Sequence, residues 1–259
     1  MLINLEKINQ KRGKSKMVFY LIGLGLDLDS ISLKGKQILK KCDEIYLESY
    51  TVDFPYDIKE LKYLGKIKPL KREQVEDESI LKNAKIKNIA LLVYGDSLSA
   101  TTHIQLINRC IKDKIKFEII HNSSILTAVA KTGLQLYKFG KTASMPAWQE
   151  DKGYKPDSFL EIVKDNQKIK AHTLLLIDIG LNVKDALSQL EESSKNKHVN
   201  LKKIIIFSQA GTEKSKIYYN TLDKLKARAK SIKLPYCIII PSELHFIEQE
   251  ALDLLREKS

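Results

Sequence analysis

Short apolar runs, each closed by glycine, proline or a polar residue, recur along the whole chain, and stretches with helical spacing lie between them. VFYLIG (18–23), IALLVYG (89–95), HTLLLIDI (172–179), KKIIIFSQ (202–209) and YCIIIP (236–241) are the clearest runs. They are too short for helices and too continuous for one-sided strands, so they read as strands buried on both faces. EIYLES (44–49), KFEIIH (116–121) and TASMP (142–146) are weaker strands of the same kind. Helical spacing is expected over 30–42, with Ser30 or Asp29 as cap, and over 101–112, 124–132, 156–166, 183–193, 216–229 and 242–255. Residues 51–75 read as irregular, broken by Pro55, Gly65 and Pro69. Strands alternating with helices imply largely parallel sheets joined by right-handed crossovers.

A chain of 259 residues accommodates two such domains. The expected division is a basic extension over 1–16, an N-terminal α/β domain over 17–115 and a C-terminal α/β domain over 116–259. The extension carries Lys7, Lys11, Arg12, Lys14 and Lys16 against Glu6, and its KRGKSK stretch reads as a linker.

Several classes are disfavoured. No apolar run approaches the roughly 20 residues that span a bilayer, and the N-terminus lacks the apolar stretch of a secretory leader. No membrane association is expected. Cys42, Cys110 and Cys237 are far apart and form no CxxC pair, so no metal site is expected and a reducing, cytoplasmic setting fits. The net charge of +12 is mostly lysine scattered over many segments, which reads as solvated surface. A diffuse positive field suits an acidic macromolecular partner. No nucleic-acid-binding motif accompanies it, so direct nucleic-acid binding is not expected.

In open α/β sheets ligands bind beyond the carboxyl ends of strands. Those ends read GLGLDLDS, GDSLSATTH, HNSSIL, DIG, SQAGT and PSELH here. GLGL lacks the glycine at position 28 that a dinucleotide fingerprint needs, where Leu28 stands, and Asp27 and Asp29 would repel a pyrophosphate. Asp96 either caps a helix or meets a cationic ligand. Thr101 or Thr102 is better placed to cap the helix before Ile104. His103 and His121 read as hydrogen-bonded structural histidines. Neither a serine-nucleophile elbow nor a phosphate-binding P-loop is present.

Taken in order, FYLIGLGLDLDSISLKGKQILKKCDEIYLESYT, YGDSLSATTH, HNSSI, TGLQLYKFGKT, HTLLLIDI and PSELH resemble the diphthine synthase family of the tetrapyrrole methylase superfamily, over residues 17–255. The chain departs from that pattern at Ser97, where the family usually has proline, and at Ser208-Gln209-Ala210-Gly211, where it usually has Ala-Arg-x-Gly. The 181–202 region is short, and residues 1–16 lie outside the pattern.

The resemblance implies two α/β domains of the tetrapyrrole methylase type, with S-adenosyl-L-methionine in the interdomain cleft and S-adenosyl-L-homocysteine as product. It implies a homodimer whose protein substrate is translation elongation factor 2. The reaction is successive N-methylation of a 3-amino-3-carboxypropyl-histidine to diphthine in diphthamide biosynthesis, and eukaryotic relatives add a methyl on the carboxylate. It carries cofactor contact onto Leu26, Asp96, Ser99, Ser124, Ile125, Ile177, Ala210 and Tyr236. Methyl transfer to an amine is an in-line displacement that needs the lone pair about 3 Å from the methyl carbon. Catalysis by positioning and desolvation is therefore expected, and no catalytic residue is assigned. The rivals are a superfamily methyltransferase acting on a corrinoid or ribosomal RNA, which HTLLLIDI and YKFGKT disfavour, and a non-catalytic basic binding module.

Overall fold

The computed structural model of the chain describes residues 17–256, so the basic extension lies outside the described residues. The chain forms two compact units. Of the described residues, the first takes 17–24, Ile31–Ser49 and Leu61–Asn122; the second takes Gly25–Ser30, Tyr50–Glu60 and 123–256.

The first unit runs β1 (Val18–Gly23), α1 (Leu33–Leu39), β2 (Glu44–Glu48), β3 (Ile67–Leu70), α2 (Arg72–Glu76), β4 (Ile89–Val93), α3 (Ile104–Lys112) and β5 (Lys116–Ile120). Its sheet has the order β3-β2-β4-β1-β5, and every pairing is parallel. β1 and β4 are buried almost throughout, as their unbroken apolar runs require. Gly23 lies opposite Val93 and Ile22 opposite Ile120, so the carboxyl ends of β4, β1 and β5 stand side by side.

Three expectations change here. β5 pairs with β1, so a division at 115/116 would cut the first sheet; the unit ends at Asn122. The region 51–75 contains β3, an edge strand whose Pro69 has no sheet partner to deprive of a donor on its outer side. The cap of α1 is Ser32, whose Oγ accepts from the Gly35 amide at 3.0 Å, while Ser30 Oγ accepts from the Asp27 amide in the preceding turn.

The second unit runs α4 (Ile125–Ala128), β6 (Ala143–Met145), α5 (Phe159–Lys168), β7 (Thr173–Ile177), α6 (Val183–Asn196), β8 (Ile204–Ser208), β9 (Lys216–Asn220), α7 (Leu222–Arg228), β10 (Tyr236–Ile240) and α8 (Phe246–Leu255). The sheet order is β6-β7-β10-β8-β9. Only β6 and β7 are parallel; β10 is antiparallel to both neighbours, and β9 to β8. This corrects the expectation of a largely parallel second sheet. The helix expected over 216–229 is a strand followed by a helix. Ile217, Tyr218 and Tyr219 favour a pleated surface, and alternate between the two cores. Alternation runs through the whole sheet: Leu175, Ile206 and Ile238 face one core, and Leu174, Ile205 and Ile239 the other.

The C-terminal helix is fixed by a buried polar cluster. Glu248, in the first turn of α8, is completely buried. Its Oε1 accepts from the Gln135 amide at 2.9 Å, and its Oε2 from the His245 amide at 2.8 Å. Lys138 Nζ bonds Oε2 at 2.5 Å. His172, also fully buried, donates from Nε2 to Oε1 at 3.1 Å and accepts the Ser242 amide at Nδ1 at 3.0 Å. That pair of bonds fits the neutral ring with its proton on Nε2. Burial pushes the His172 pKa below its ordinary value, against the pull of Glu248. Burial also opposes charge on Glu248, but the Gln135 amide, Lys138, the His245 amide and His172 outweigh it and bring its pKa down to about 2.

Both shifts have the same sign for stability. A group whose folded pKa lies below its unfolded value stabilises above the unfolded value and stops doing so as pH falls through the folded one. Stability is therefore expected to decline below about pH 6.5 as His172 resists protonation, then further below about pH 4.3 toward 2 as Glu248 is titrated. Glu248→Gln leaves Lys138 without its carboxylate and is expected to cost about 3 kcal/mol at neutral pH, with a flatter decline below about pH 4. Denaturant melts of both proteins across pH measure this; parallel acid limbs would remove Glu248 from the account.

Candidate active site

β4 ends at Val93, and Gly95-Asp96 follows with φ +74° at the glycine. Asp96 is nearly buried, and each of its oxygens has two partners. Oδ1 accepts from the Leu98 amide at 3.0 Å and the Ser99 hydroxyl at 3.2 Å. Oδ2 accepts from the Asn122 amide at 3.0 Å and lies 2.9 Å from His121 Nδ1. A carboxylate offers about four lone-pair positions, so its accepting capacity is used within the first unit. Burial works against the charge. The Leu98 and Asn122 amides and His121 outweigh it, and the Asp96 pKa is held below the ordinary aspartate range.

His121 and Asn122 follow β5. The Asn122 side chain donates to the Gly23 carbonyl at 3.0 Å, which ties the end of β5 to the end of β1. A Cβ on Gly23 would stand 2.6 Å from the Gly95 carbonyl oxygen and 3.0 Å from Asn122 Cβ. Three strand ends therefore close over a position that only glycine fits.

The threonines act otherwise than expected. Thr101 Oγ1 donates to the Ser97 carbonyl at 3.2 Å, and Thr102 supplies only its backbone carbonyl, to the Gln105 amide. His103 occupies the cap position of α3 without a side-chain capping bond. It is buried, with Nδ1 donating to the Ser97 carbonyl at 3.2 Å and Nε2 3.9 Å from the buried Glu48 carboxylate. Both hydroxyl and imidazole are thus spent on holding the loop after β4.

Of the eight residues carried over by resemblance, Asp96 and Ser99 belong to the first unit and touch each other. The other six belong to the second unit. Leu26 is buried against Gly211, where φ is +86° and a Cβ would lie 2.4 Å from Leu26 Cβ. Ala210, beside that glycine, is buried. Tyr236 opens β10 and donates from its hydroxyl to the Leu181 carbonyl at 3.0 Å; burial pushes its pKa up. Ser124 precedes α4, and its carbonyl accepts the Thr127 hydroxyl. Ile125 is half-buried at the start of α4, and Ile177 half-buried at the end of β7. The contact that reading along the chain missed is His121 with Asp96. Its one sequence signal is that GD and HN both follow apolar runs.

Among the described residues no group of three or more histidine, cysteine or acidic side chains is arranged to hold a metal ion, and no helix is long and apolar enough to cross a membrane.

The pattern of the Tetrapyrrole (Corrin/Porphyrin) Methylases matches residues 18–226. The chain is 35% identical to the diphthine methyl ester synthase of Bos taurus, over 92% of this chain and 94% of that one. It is 38% identical to the diphthine synthase of Methanosphaera stadtmanae, over 93% and 96%. A crystal structure of diphthine synthase superposes with a TM-score of 0.84 at 30% identity, covering 92% of this chain and 96% of that one. The chain belongs to the tetrapyrrole methylases and, within them, to the diphthine synthase family.

Ser97 stands where that family pattern usually has proline, and its Oγ is buried with no hydrogen-bond partner among the described residues. An unpaired buried hydroxyl costs about 1–3 kcal/mol relative to an apolar group of similar shape. Ser97→Ala is therefore expected to raise stability by about 1 kcal/mol, seen as a higher melting temperature. A lower melting temperature would mean that this hydroxyl has a partner.

Proposed function

We propose that this chain uses S-adenosyl-L-methionine to methylate the amino nitrogen of a 3-amino-3-carboxypropyl-histidine on translation elongation factor 2, forming diphthine in the cytoplasm, and that it works as a homodimer. The observation that carries this reading is similarity to diphthine and diphthine methyl ester synthases over more than nine-tenths of both chains. A match to one domain alone would support only a shared fold.

The residues suit the donor. It carries an ammonium and a sulfonium, and Asp96 keeps a negative charge at the strand ends of the first unit. Gly23 and Gly95 keep bulk away from that position. The proposed contacts are Leu26, Asp96, Ser99, Ser124, Ile125, Ile177, Ala210 and Tyr236. When bound, the donor supplies an activated methyl group on a leaving group that departs as a neutral thioether. No acid is needed to assist that departure. The chain's task is to orient the amine and exclude water. Because Asp96 is saturated by its own loop and by His121 and Asn122, its contribution is a fixed loop and a fixed charge.

The decisive experiment is mass spectrometry of elongation factor 2 bearing the precursor side chain, after incubation with this protein and S-adenosyl-L-methionine. Gains of whole methyl groups on that histidine are expected, and their number gives the rounds of transfer. No gain would sink the assignment. A second measurement addresses the pocket. Gly211→Ala drives a Cβ into Leu26 and is expected to weaken S-adenosyl-L-homocysteine binding about tenfold by calorimetry, or about 1.4 kcal/mol. Unchanged affinity would take Leu26 out of the site.

A further inference from the structure

Each N-methylation must dispose of a proton. The substrate amine begins as an ammonium, with no lone pair to attack the methyl carbon. Three transfers release three protons before the quaternary product is reached. The positioning account leaves the acceptor of these protons unnamed.

His121 has the geometry of such an acceptor. Its Nδ1 is 2.9 Å from Asp96 Oδ2. A carboxylate accepts and does not donate when ionised, and Asp96 is held in that form. The ring proton of neutral His121 is therefore fixed on Nδ1, and the lone pair on Nε2. Asp96 in turn is braced by the Leu98 and Asn122 amides and the Ser99 hydroxyl. This is the arrangement in which a carboxylate sets the tautomer and direction of a working imidazole. The side chain is 67% exposed, so the ring is open to solvent while Asp96 holds its Nδ1. Among the described residues, Asp96 is the charged group paired with it.

We propose that His121 is the general base of N-methylation, with Asp96 as its positioning residue; this rests on the methyltransferase reading above. His121 Nε2 takes a proton from the substrate ammonium, giving imidazolium and a neutral amine. The amine lone pair forms the new nitrogen–carbon bond while the carbon–sulfur bond breaks and its electron pair stays on sulfur. The imidazolium then passes its proton to water, and the ring is ready for the next round. Methylation of the carboxylate, where a protein of this family performs it, begins from an ion that has no proton to lose. That step does not need His121.

The test compares the parent protein with His121→Gln and His121→Ala on precursor-bearing elongation factor 2. Glutamine keeps a polar amide in place of the ring but cannot take a proton. His121→Gln is expected to slow the first N-methyl transfer about 100-fold. His121→Ala should regain rate when free imidazole is added, in proportion to its concentration. Calorimetry with S-adenosyl-L-homocysteine should give affinities within about threefold of the parent's, since that ligand brings no proton to transfer. Nitrogen NMR of the imidazole in the protein alone should show the proton on Nδ1, and Asp96→Asn should disturb that tautomer. A His121→Gln protein that methylates within twofold of the parent would overturn the proposal, as would a free protein with its proton on Nε2. Loss of activity with loss of ligand affinity, and no rescue by imidazole, would also overturn it and make the residue structural. A parent protein that leaves the precursor unmethylated would instead refute the functional reading.

Discussion

The carboxylate of Asp96 spans a gap that the sheet itself leaves open. In the order β4-β1-β5, the strand that Asp96 follows and the strand that His121 and Asn122 follow are not neighbours. β1 lies between them, and it ends on Gly23. The bridge from Asp96 to Asn122 can cross because Gly23 has no side chain: a Cβ there would collide with the Gly95 carbonyl. Three segments distant in sequence thus become one surface through one carboxylate and one glycine. The loop after β4, the direction of the His121 ring and the turn after β5 all depend on that crossing.

A second carboxylate does comparable work in the second unit with different chemistry. Glu248 takes two backbone amides, as Asp96 does, but adds a lysine and a neutral histidine. Its partners come from the 135–138 segment, the start of β7 and the turn before α8. The result is a closed cluster in which every polar group is used, which suits an anchor for a terminal helix. Asp96 is equally saturated, yet one of its partners is an exposed ring. The difference between anchor and site lies in that one exposed partner and not in the carboxylates.

The first sheet was largely legible in the sequence because β1 and β4 are continuous apolar runs and α-helices join β1 to β2 and β4 to β5. β3 was not, since an edge strand of four residues with a proline carries too little apolar signal. The direction of the second sheet was also hidden: a run such as YCIIIP fits a buried strand of either direction equally well. β9 was hidden by its own composition, for KIYYNTLDKLKARA has helical spacing overall while Ile217, Tyr218 and Tyr219 pack as alternating strand residues. At the site, Asp96 stood out as a strand-end carboxylate. Its meaning depended on residues 25 and 26 positions further on, which no local pattern links to it. The threonines misled because a hydroxyl before a helix usually caps it, whereas Thr101 folds back onto Ser97.

Repeated methylation of one nitrogen places a demand that separates His121 from the two buried histidines of the fold. The acceptor of each proton must reach substrate, then return the proton to water before the next round. His172 cannot, because both ring nitrogens are engaged and the ring is buried. His103 is buried too, with one nitrogen spent on the Ser97 carbonyl and the other turned toward Glu48. A proton taken up by either would be trapped beside groups that already have partners. His121 meets both halves of the demand: a buried carboxylate fixes one edge of the ring, and exposure frees the other. The order of strand ends that makes the Asp96 bridge possible is also what puts that ring at the surface, held among the described residues at Nδ1.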